Sequence, residues 1–417
     1  MKAMTERASQ FTSILTEVAA DEEHIIRTVI HFDEMRPLED DDLPQSLWWR
    51  EGCSPSGFYC YEDAGMTTGS FLASQSLRYL VTGKEEAKHN ADNAFRGVCF
   101  IYELGKEKVE GYFPKPYGKK ISDQISRDQY LYVLNGLANY HRIVDEKTQR
   151  QIQRMMAKMA DYWISINYTD SYFGLPASSN LRDFMGPLFL GIMRIPYTYT
   201  GDKKYLREYE RLFAEERLGA RMPETLRGLF LRGEKYDGAT YFRQQENPVM
   251  MKTMAIDHLW PVDSEHGDLW RQALQAFRDD VLTISLERNS GLNYNVVGFD
   301  VKRNSTFMTE PGVIKELENP LNLPFLTWGG LRKTAGSAQI AYAAAVIGDR
   351  LGDRETIKTA ADILGKMDLS KFRGFTVPDK SHLPPGYDWE IKMLHSCYLS
   401  YWLWAYWLGR ARKLWND

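Results

Sequence analysis

Four cysteines in 417 residues, Cys53, Cys60, Cys99 and Cys397, are too few and too scattered for a disulfide framework or a zinc site. They read as free thiols, buried, in a reducing compartment. A net positive charge is also lacking, with 52 Lys and Arg against 56 Asp and Glu. A net charge of −4 offers nothing to nucleic acid or to an anionic membrane, and neither is expected as a partner. Long apolar runs are missing as well. The strongest, Met393 to Leu408, is shorter than the ~20 residues a membrane span needs. It contains His395 and lies between Lys392 and Arg410, so it reads as a core helix apolar all round. The opening MKAMTERASQFTSIL has no signal-peptide core, so a cytoplasmic location is expected, or a periplasmic one if a leader has been cut away. There is no phosphate loop, no dinucleotide fingerprint, no HExxH and no Cys/His cluster with ligand spacing. No cofactor or metal is therefore expected.

What remains is apolar and aromatic. Hydrophobic residues make up 43%, enough for a sizeable core, and the 11 Trp and 24 Tyr suit either sugar-stacking platforms or a large helical interior. The most informative stretch is Ile121 to Val144. It opens on Ser122, Asp123, Gln124, Ser126, Arg127, Asp128 and Gln129, and continues as an apolar helix through Tyr130, Leu131, Val133, Leu134, Leu137, Ala138 and Tyr140. Ser126 with Gln129 three residues on makes a capping-box pattern. The positive end of the helix would then lie beside the acids, as the floor of a polar site or as an ordinary solvated cap.

Two kinds of helix alternate along the chain. Thr5 to Met35, Glu85 to Leu104, Lys147 to Ile166, Lys204 to Leu218, Leu269 to Leu286 and Arg354 to Met367 are amphipathic. Glu62 to Leu80, the Ile121 stretch, Leu181 to Tyr199, Asn247 to Leu259, Leu331 to Ile347 and Trp389 to Leu408 are apolar. A helix apolar all round needs cover on every side, an amphipathic one on a single side. Six hairpins with an inner and an outer ring meet both needs, so the chain is expected to be one all-α domain, an (α/α)6 toroid over residues 1–417. An open solenoid of the same hairpins is the alternative. Two long connections, Gly219 to Glu246 and Arg288 to Gly330, contain extended stretches: a hairpin with Asp237-Gly238 near its turn, and LNYNVVGFDVKRNSTF. Both precede apolar helices, which puts them on one face, where the cleft is expected.

Acidic residues gather at the expected starts of inner helices: Glu62 and Asp63, Asp123 and Asp128, Asp183, and Asp257, joined by His258 and Asp388. Helix physics alone favours some of them as caps. Trp48, Trp49, Tyr112, Phe113, Tyr117, Trp260, Trp328 and Trp389 stand near the cleft loops. Trp328 beside Gly329-Gly330 is the foremost stacking candidate among them.

Asp63-Ala64-Gly65-Met66 and Asp123 with Ser126-Arg127-Asp128-Gln129 stand one hairpin apart. In that order they resemble the six-hairpin glycosidase superfamily, and most its unsaturated glucuronyl hydrolase branch. That branch carries Asp-x-Gly-aromatic at one inner helix and an Asp followed by Ser-Arg-Gly-Gln at the next. Met66 stands for the aromatic, Ile125 for a Trp and Asp128 for Gly, and the Asp123 to Arg127 spacing is shorter. The resemblance implies an oligosaccharide substrate bearing a uronic acid, with Asp123 as general acid/base and Asp63 beside it. The enzyme would protonate the C4=C5 vinyl ether of an unsaturated uronyl residue and add water. Such a carboxyl must hold its proton near neutral pH, which burial and a neighbouring carboxylate promote. Arg127 would pair with Asp128 or clamp the substrate carboxylate, Gln129 would bond sugar hydroxyls, and His258, Trp328 and Trp389 would complete the binding site. The alternatives are a two-carboxylate glycosidase such as a β-glucuronidase, using Asp63 with Asp123, Asp128 or Asp257, a lyase drawing on Tyr241, Tyr294, His258 and His395, and a non-catalytic glycan-binding scaffold.

Overall fold

Buried positions along Glu146–Ser165 fall at Ile152, Met155, Met156, Met159, Ala160 and Trp163, one stripe of an otherwise solvated helix. Along Ser396–Ala411 every residue from Ser396 to Gly409 is buried. These two burial patterns are what a single-sided and an all-round contact leave behind. A computed structural model describes residues 2–43, 53–171, 178–182, 185–218, 223–225, 246–287, 296–300, 305–310, 313–318, 334–373 and 393–415. Among these residues twelve long helices run in sequence: α1 (Lys2–Ser13), α2 (Ala64–Thr82), α3 (Glu85–Lys106), α4 (Arg127–Tyr140), α5 (Glu146–Ser165), α6 (Leu188–Thr200), α7 (Lys203–Phe213), α8 (Glu246–Leu259), α9 (Gly267–Glu287), α10 (Ser337–Leu351), α11 (Arg354–Lys366) and α12 (Ser396–Ala411).

The even-numbered helices form the inner ring. Each packs on the next, α2 on α4, then α6, α8, α10 and α12, and α12 closes back on α2. The odd-numbered helices lie outside. The fold is the (α/α)6 toroid, not the open solenoid. Every inner helix starts at the same end of the ring, called the mouth below. Inner helices hand over to outer ones by short turns. Gly83, Gly201 and Gly352 take φ of 63°, 70° and 68° there, a left-handed conformation that closes the C-terminus and that side chains resist.

The inner wall carries hydroxyls that satisfy themselves. Thr68 Oγ1 donates to the Ala64 carbonyl at 2.7 Å, and Ser70 and Ser76 reach Met66 and Leu72 in the same way. Helices α2 and α4 approach until backbone meets backbone. A Cβ on Gly136 would lie 2.5 Å from the Gly69 carbonyl oxygen, and one on Gly69 would lie 2.9 Å from that of Tyr132.

The first amphipathic segment departs from expectation. Helix α1 continues as one wide turn over Ile14–Ala19, and the chain then leaves the helix. The Asp21 carboxylate accepts from the backbone N–H groups of Glu23 and Ile25 at 3.0 and 2.9 Å, with His24 at φ 63°. This local turn outcompetes the helix. Ile25, Ile26, Val29 and Ile30 are buried in an extended course that ends by pairing Ile30–His31 antiparallel with Met393–Leu394 at the mouth. Of the two long connections, Glu216–Leu218 pairs with Pro223–Thr225, while the hairpin expected about Asp237-Gly238 lies outside the described residues. The second holds an antiparallel sheet of Val296–Asp300, Ser305–Glu310 and Val313–Glu318. The third strand, acidic and next to Pro311, carries no alternation that would have announced it.

The other end of the ring is tied by charge. Asp257, near the end of α8, accepts from Arg350 Nε at 2.8 Å and Arg412 Nη2 at 2.5 Å, and Arg412 reaches Asp349 at 3.0 Å. Burial raises the Asp257 pKa, but the two guanidinium groups outweigh it and hold the carboxyl down at about 2. His258 Nε2 lies 2.7 Å from Asn135 Oδ1, and burial, reinforced by the same arginines, lowers its pKa to about 4.

Gly136→Ala forces α2 and α4 apart and is expected to lower unfolding stability in urea by about 2–3 kcal/mol. Gly267→Ala, with nothing within 4 Å of the new methyl, leaves it unchanged or slightly raised. As pH falls from 6.5 to about 4 the unfolded chain takes up a proton that folded His258 refuses, so stability drops across that window. Below 3.8 Asp257 adds a second loss, complete near 2. Urea midpoints of His258→Gln should flatten the upper window only; a variant with the wild-type slope there would assign the loss to another group.

Candidate active site

Ser126, in extended conformation, is the N-cap of α4, and its hydroxyl accepts from the Gln129 N–H at 3.3 Å. The other half of the capping box is not made. Gln129, fully buried, sends its Nε2 to the Glu62 carbonyl at 2.9 Å instead, and so ties α4 to the residue that leads into α2. The Gln129 Nε2 is thereby committed inside the wall and not to sugar hydroxyls, while its buried Oε1 has no hydrogen-bond partner among the described residues.

Glu62 itself is buried, and its carboxylate takes Lys115 Nζ and the Tyr117 hydroxyl. Both partners come from the Gly/Pro/Tyr segment before α4. That segment is fixed by Lys115 N–H to the Gln124 carbonyl at 2.8 Å and by the Tyr130 hydroxyl to the Gly111 carbonyl at 2.9 Å. A buried ion pair completed by a phenol holds the segment across the start of α2.

Asp63 follows directly as N-cap of α2, half-buried. Its side chain does not cap its own helix; the backbone N–H donates to Thr28 Oγ1 at 3.1 Å. Across the mouth, Asp128 stands on the first turn of α4. Asn247 Nδ2 donates to its Oδ2 at 3.4 Å, and Arg127 Nε lies 3.8 Å from its Oδ1. Arg127 is held in turn by the backbone carbonyl and Oδ1 of Asn180 at 3.2 and 3.0 Å.

The centre of the group is Tyr132, wholly buried one turn further along α4. Its hydroxyl donates to Asn247 Oδ1 at 2.9 Å and accepts from Gln339 Nε2 at 3.1 Å, and Gln339 Nε2 also donates to Asn247 Oδ1 at 2.8 Å. With Oδ1 accepting twice, the Asn247 amide has only its NH2 to turn toward Asp128, which favours a charged carboxylate there. Burial above all raises the Tyr132 pKa well beyond the ordinary phenol value, and the charges of Asp128 and Asp63 add to it. Asp63 acts likewise on Tyr401, whose ring lies 5.2 Å from that of Tyr132. Tyr398 and His395 continue the aromatic row at 5.5 Å each. Four inner helices, α4, α8, α10 and α12, thus send polar groups to the mouth, and Asp63 arrives at the start of a fifth.

Asp123 does not join them. It precedes the N-cap of α4, so it belongs to the rim and not to the helix. Its side chain is 77% exposed and pairs with Lys108 Nζ at 3.0 Å. The burial set as a condition for a proton-holding acid is therefore absent at Asp123. His258 and Asp257 are also displaced from expectation: they end α8 instead of starting it, and lie at the far end of the ring. Trp328, Trp389, Trp48, Trp49, Asp183, Asp388, Tyr241 and Tyr294 lie outside the described residues.

Asn180, Asn247, Gln339, Tyr132 and Lys115 were not singled out from sequence. One signal existed: Gln339 is the lone amide in a helix that stays apolar from Ile340 to Gly348, and a buried amide requires a partner.

No protein-family model matches this chain, and no curated protein matches it. Solved structures do. A cellobiose 2-epimerase from Spirochaeta thermophila matches over 99% of this chain and 98% of its own, at 12% identity and a TM-score of 0.49. A sugar epimerase from a ruminal bacterium matches over 95% and 98%, at 12% identity and a TM-score of 0.47. A D-mannose isomerase matches over 88% and 85%, at 10% identity and a TM-score of 0.43.

Proposed function

We propose that this chain is a carbohydrate-active enzyme, a hydrolase of uronic-acid-containing oligosaccharides, with Asp63 and Asp128 as its carboxyl pair. The observation that carries the reading is the contact of the Asp128 carboxylate with a buried amide–phenol network at the mouth of the ring, with Asp63 at the start of the adjacent inner helix, near enough to help raise the Tyr132 pKa. Amides, phenols and carboxylates side by side offer donors and acceptors to a polyhydroxylated ligand, while a closed ring beneath provides the rigid support acid–base chemistry needs. The uronyl preference rests on the motif resemblance about Asp63 and Arg127.

In this reading Asp128, supported by Asn247 and Arg127, works as the base. It takes a proton from water as that water adds to C5 of the vinyl ether, and Asp63 delivers the proton to C4. The hemiketal so formed opens and releases the sugar. The donor aimed at Asp128 equally suits a base or nucleophile acting on a saturated glycoside, with Asp63 as acid, and this is the second reading.

The two are separated by a panel of unsaturated uronyl disaccharides, followed by loss of vinyl-ether absorbance, and β-glucuronides, followed by aglycone release. Asp128→Asn and Asp63→Asn should each lower turnover of the accepted substrate by about 10²–10⁴-fold with unchanged melting temperature, whereas Asp123→Asn stays within about twofold of wild type. Full turnover in Asp128→Asn, or no turnover of either substrate class by the wild type, overturns the proposal.

A further inference from the structure

At the end of the ring away from the mouth, the C-terminal turns of the inner helices enclose a cavity of about 260 Å³. Asn135, Arg142, Asp257, His258, Arg350 and Arg412 line it, with Trp404 forming part of an apolar wall. This is far more room than the ~30 Å³ share of a single water.

Its charges do not balance. Three guanidinium groups face one carboxylate. Asp257 accepts from Arg350 and Arg412, and Arg412 is further matched by Asp349 from outside the cavity. Arg142, exposed at the rim of the cavity, has no carboxylate within 4 Å among the described residues. Helix C-termini attract cations, and Arg350 Nη2 lies 3.5 Å from the Asp257 carbonyl, but several terminal carbonyls here are already taken by backbone N–H groups. Asp263 N–H caps Leu259, Asp353 N–H caps Gly348, Arg412 N–H caps Leu408 and Leu414 N–H caps Gly409, at 2.8 to 2.9 Å. Those backbone bonds leave the guanidinium groups little to neutralise at the helix ends. His258, which shares the wall with Tyr199 and Tyr342, is neutral at physiological pH and offers a ring nitrogen without adding charge.

We propose that this cavity is a second binding site, for a small organic anion whose oxyanion is taken by Arg142 and Arg350 and whose polar body lies against Asn135, His258 and Trp404. Arginine pairs recognise carboxylate and phosphate by the same forked geometry, so a sugar acid and a phosphate ester share the required chemistry. The site lies at the opposite end of the ring from the carboxyl pair and does not depend on what the mouth turns over.

Calorimetric titration of the full chain at low ionic strength, with inorganic phosphate, glucose 6-phosphate and glucuronate as probes, tests this. Saturable binding of at least one probe is expected. Glucose 6-phosphate binding most tightly makes a phosphate ester the natural source, glucuronate binding most tightly a sugar acid, and either result supports the site. Arg142→Gln, which breaks no ion pair among the described residues, should weaken binding at least tenfold, Arg142→Lys should restore part of it, and Asp128→Asn at the mouth should leave it unchanged. No saturable binding of any probe, or binding indifferent to Arg142→Gln, overturns the proposal. Binding lost in Asp128→Asn instead would assign the anion to the mouth and overturn it equally.

Discussion

A helix that is apolar around its whole circumference has no face to give to water. Six such helices in one chain leave few arrangements open: each needs two neighbours of its own kind and a cover behind. A closed ring with an amphipathic jacket supplies that for all six at once. The return of α12 onto α2 is therefore the contact on which the rest depends. It removes the exposed ends that a solenoid would leave on α2 and α12, two of the helices most fully buried here.

Ring closure also decides where chemistry can be placed. Because every hairpin runs outer helix first, all inner helices point the same way. Their starts, with unpaired N–H groups and positive dipole ends, share one end of the ring with the long connections. Carboxylates are tolerated there, and Asp63 and Asp128 stand at that end. The opposite end collects helix C-termini and short turns, and arginines gather there around Asp257. The polar groups of each end have different tasks in packing. Glu62, Lys115 and Gln129 are consumed in joining α4 and its preceding segment to the start of α2, while Asp128, Asn247, Tyr132 and Gln339 form a network that reaches the opening.

The alternation of helix types was legible because all-round and one-sided burial leave different residue patterns, and eleven of the twelve long helices stand where that pattern puts them, with shifted ends. The exception, the second half of Thr5 to Met35, kept a helical spacing of apolar residues that are buried all the same. Asp21, by bonding the N–H groups of Glu23 and Ile25, changed the backbone without changing which residues face the core. Site residues were harder, for two reasons. A shift of a few positions at a helix end changes a side chain's surroundings completely. Asp123, before the cap, is in solvent, and Asp128, just inside it, is in the mouth. The direction in which an amide points is also a tertiary property. Gln129 matched a binding motif by type and spacing, yet the carbonyl of Glu62 was the nearer acceptor.

His258 shows the same limit from the other side. Read as a helix start, it would have joined the acids. As the penultimate residue of α8 it stands a full helix length away, beside Asp257 and two arginines. Nothing in the dipeptide Asp257-His258 distinguishes the two placements. The distinction comes from α8 having already begun at Glu246, with Asn247 spent on Tyr132 and Asp128 at the mouth. One inner helix thus serves both ends of the ring: an amide at its first turn orients a carboxylate at the mouth, and a carboxylate at its last turn gathers the cations of the far end. A change that shifts the register of α8 would disturb the two ends together, and the same holds for α10, which carries Gln339 at the mouth and Arg350 at the far end.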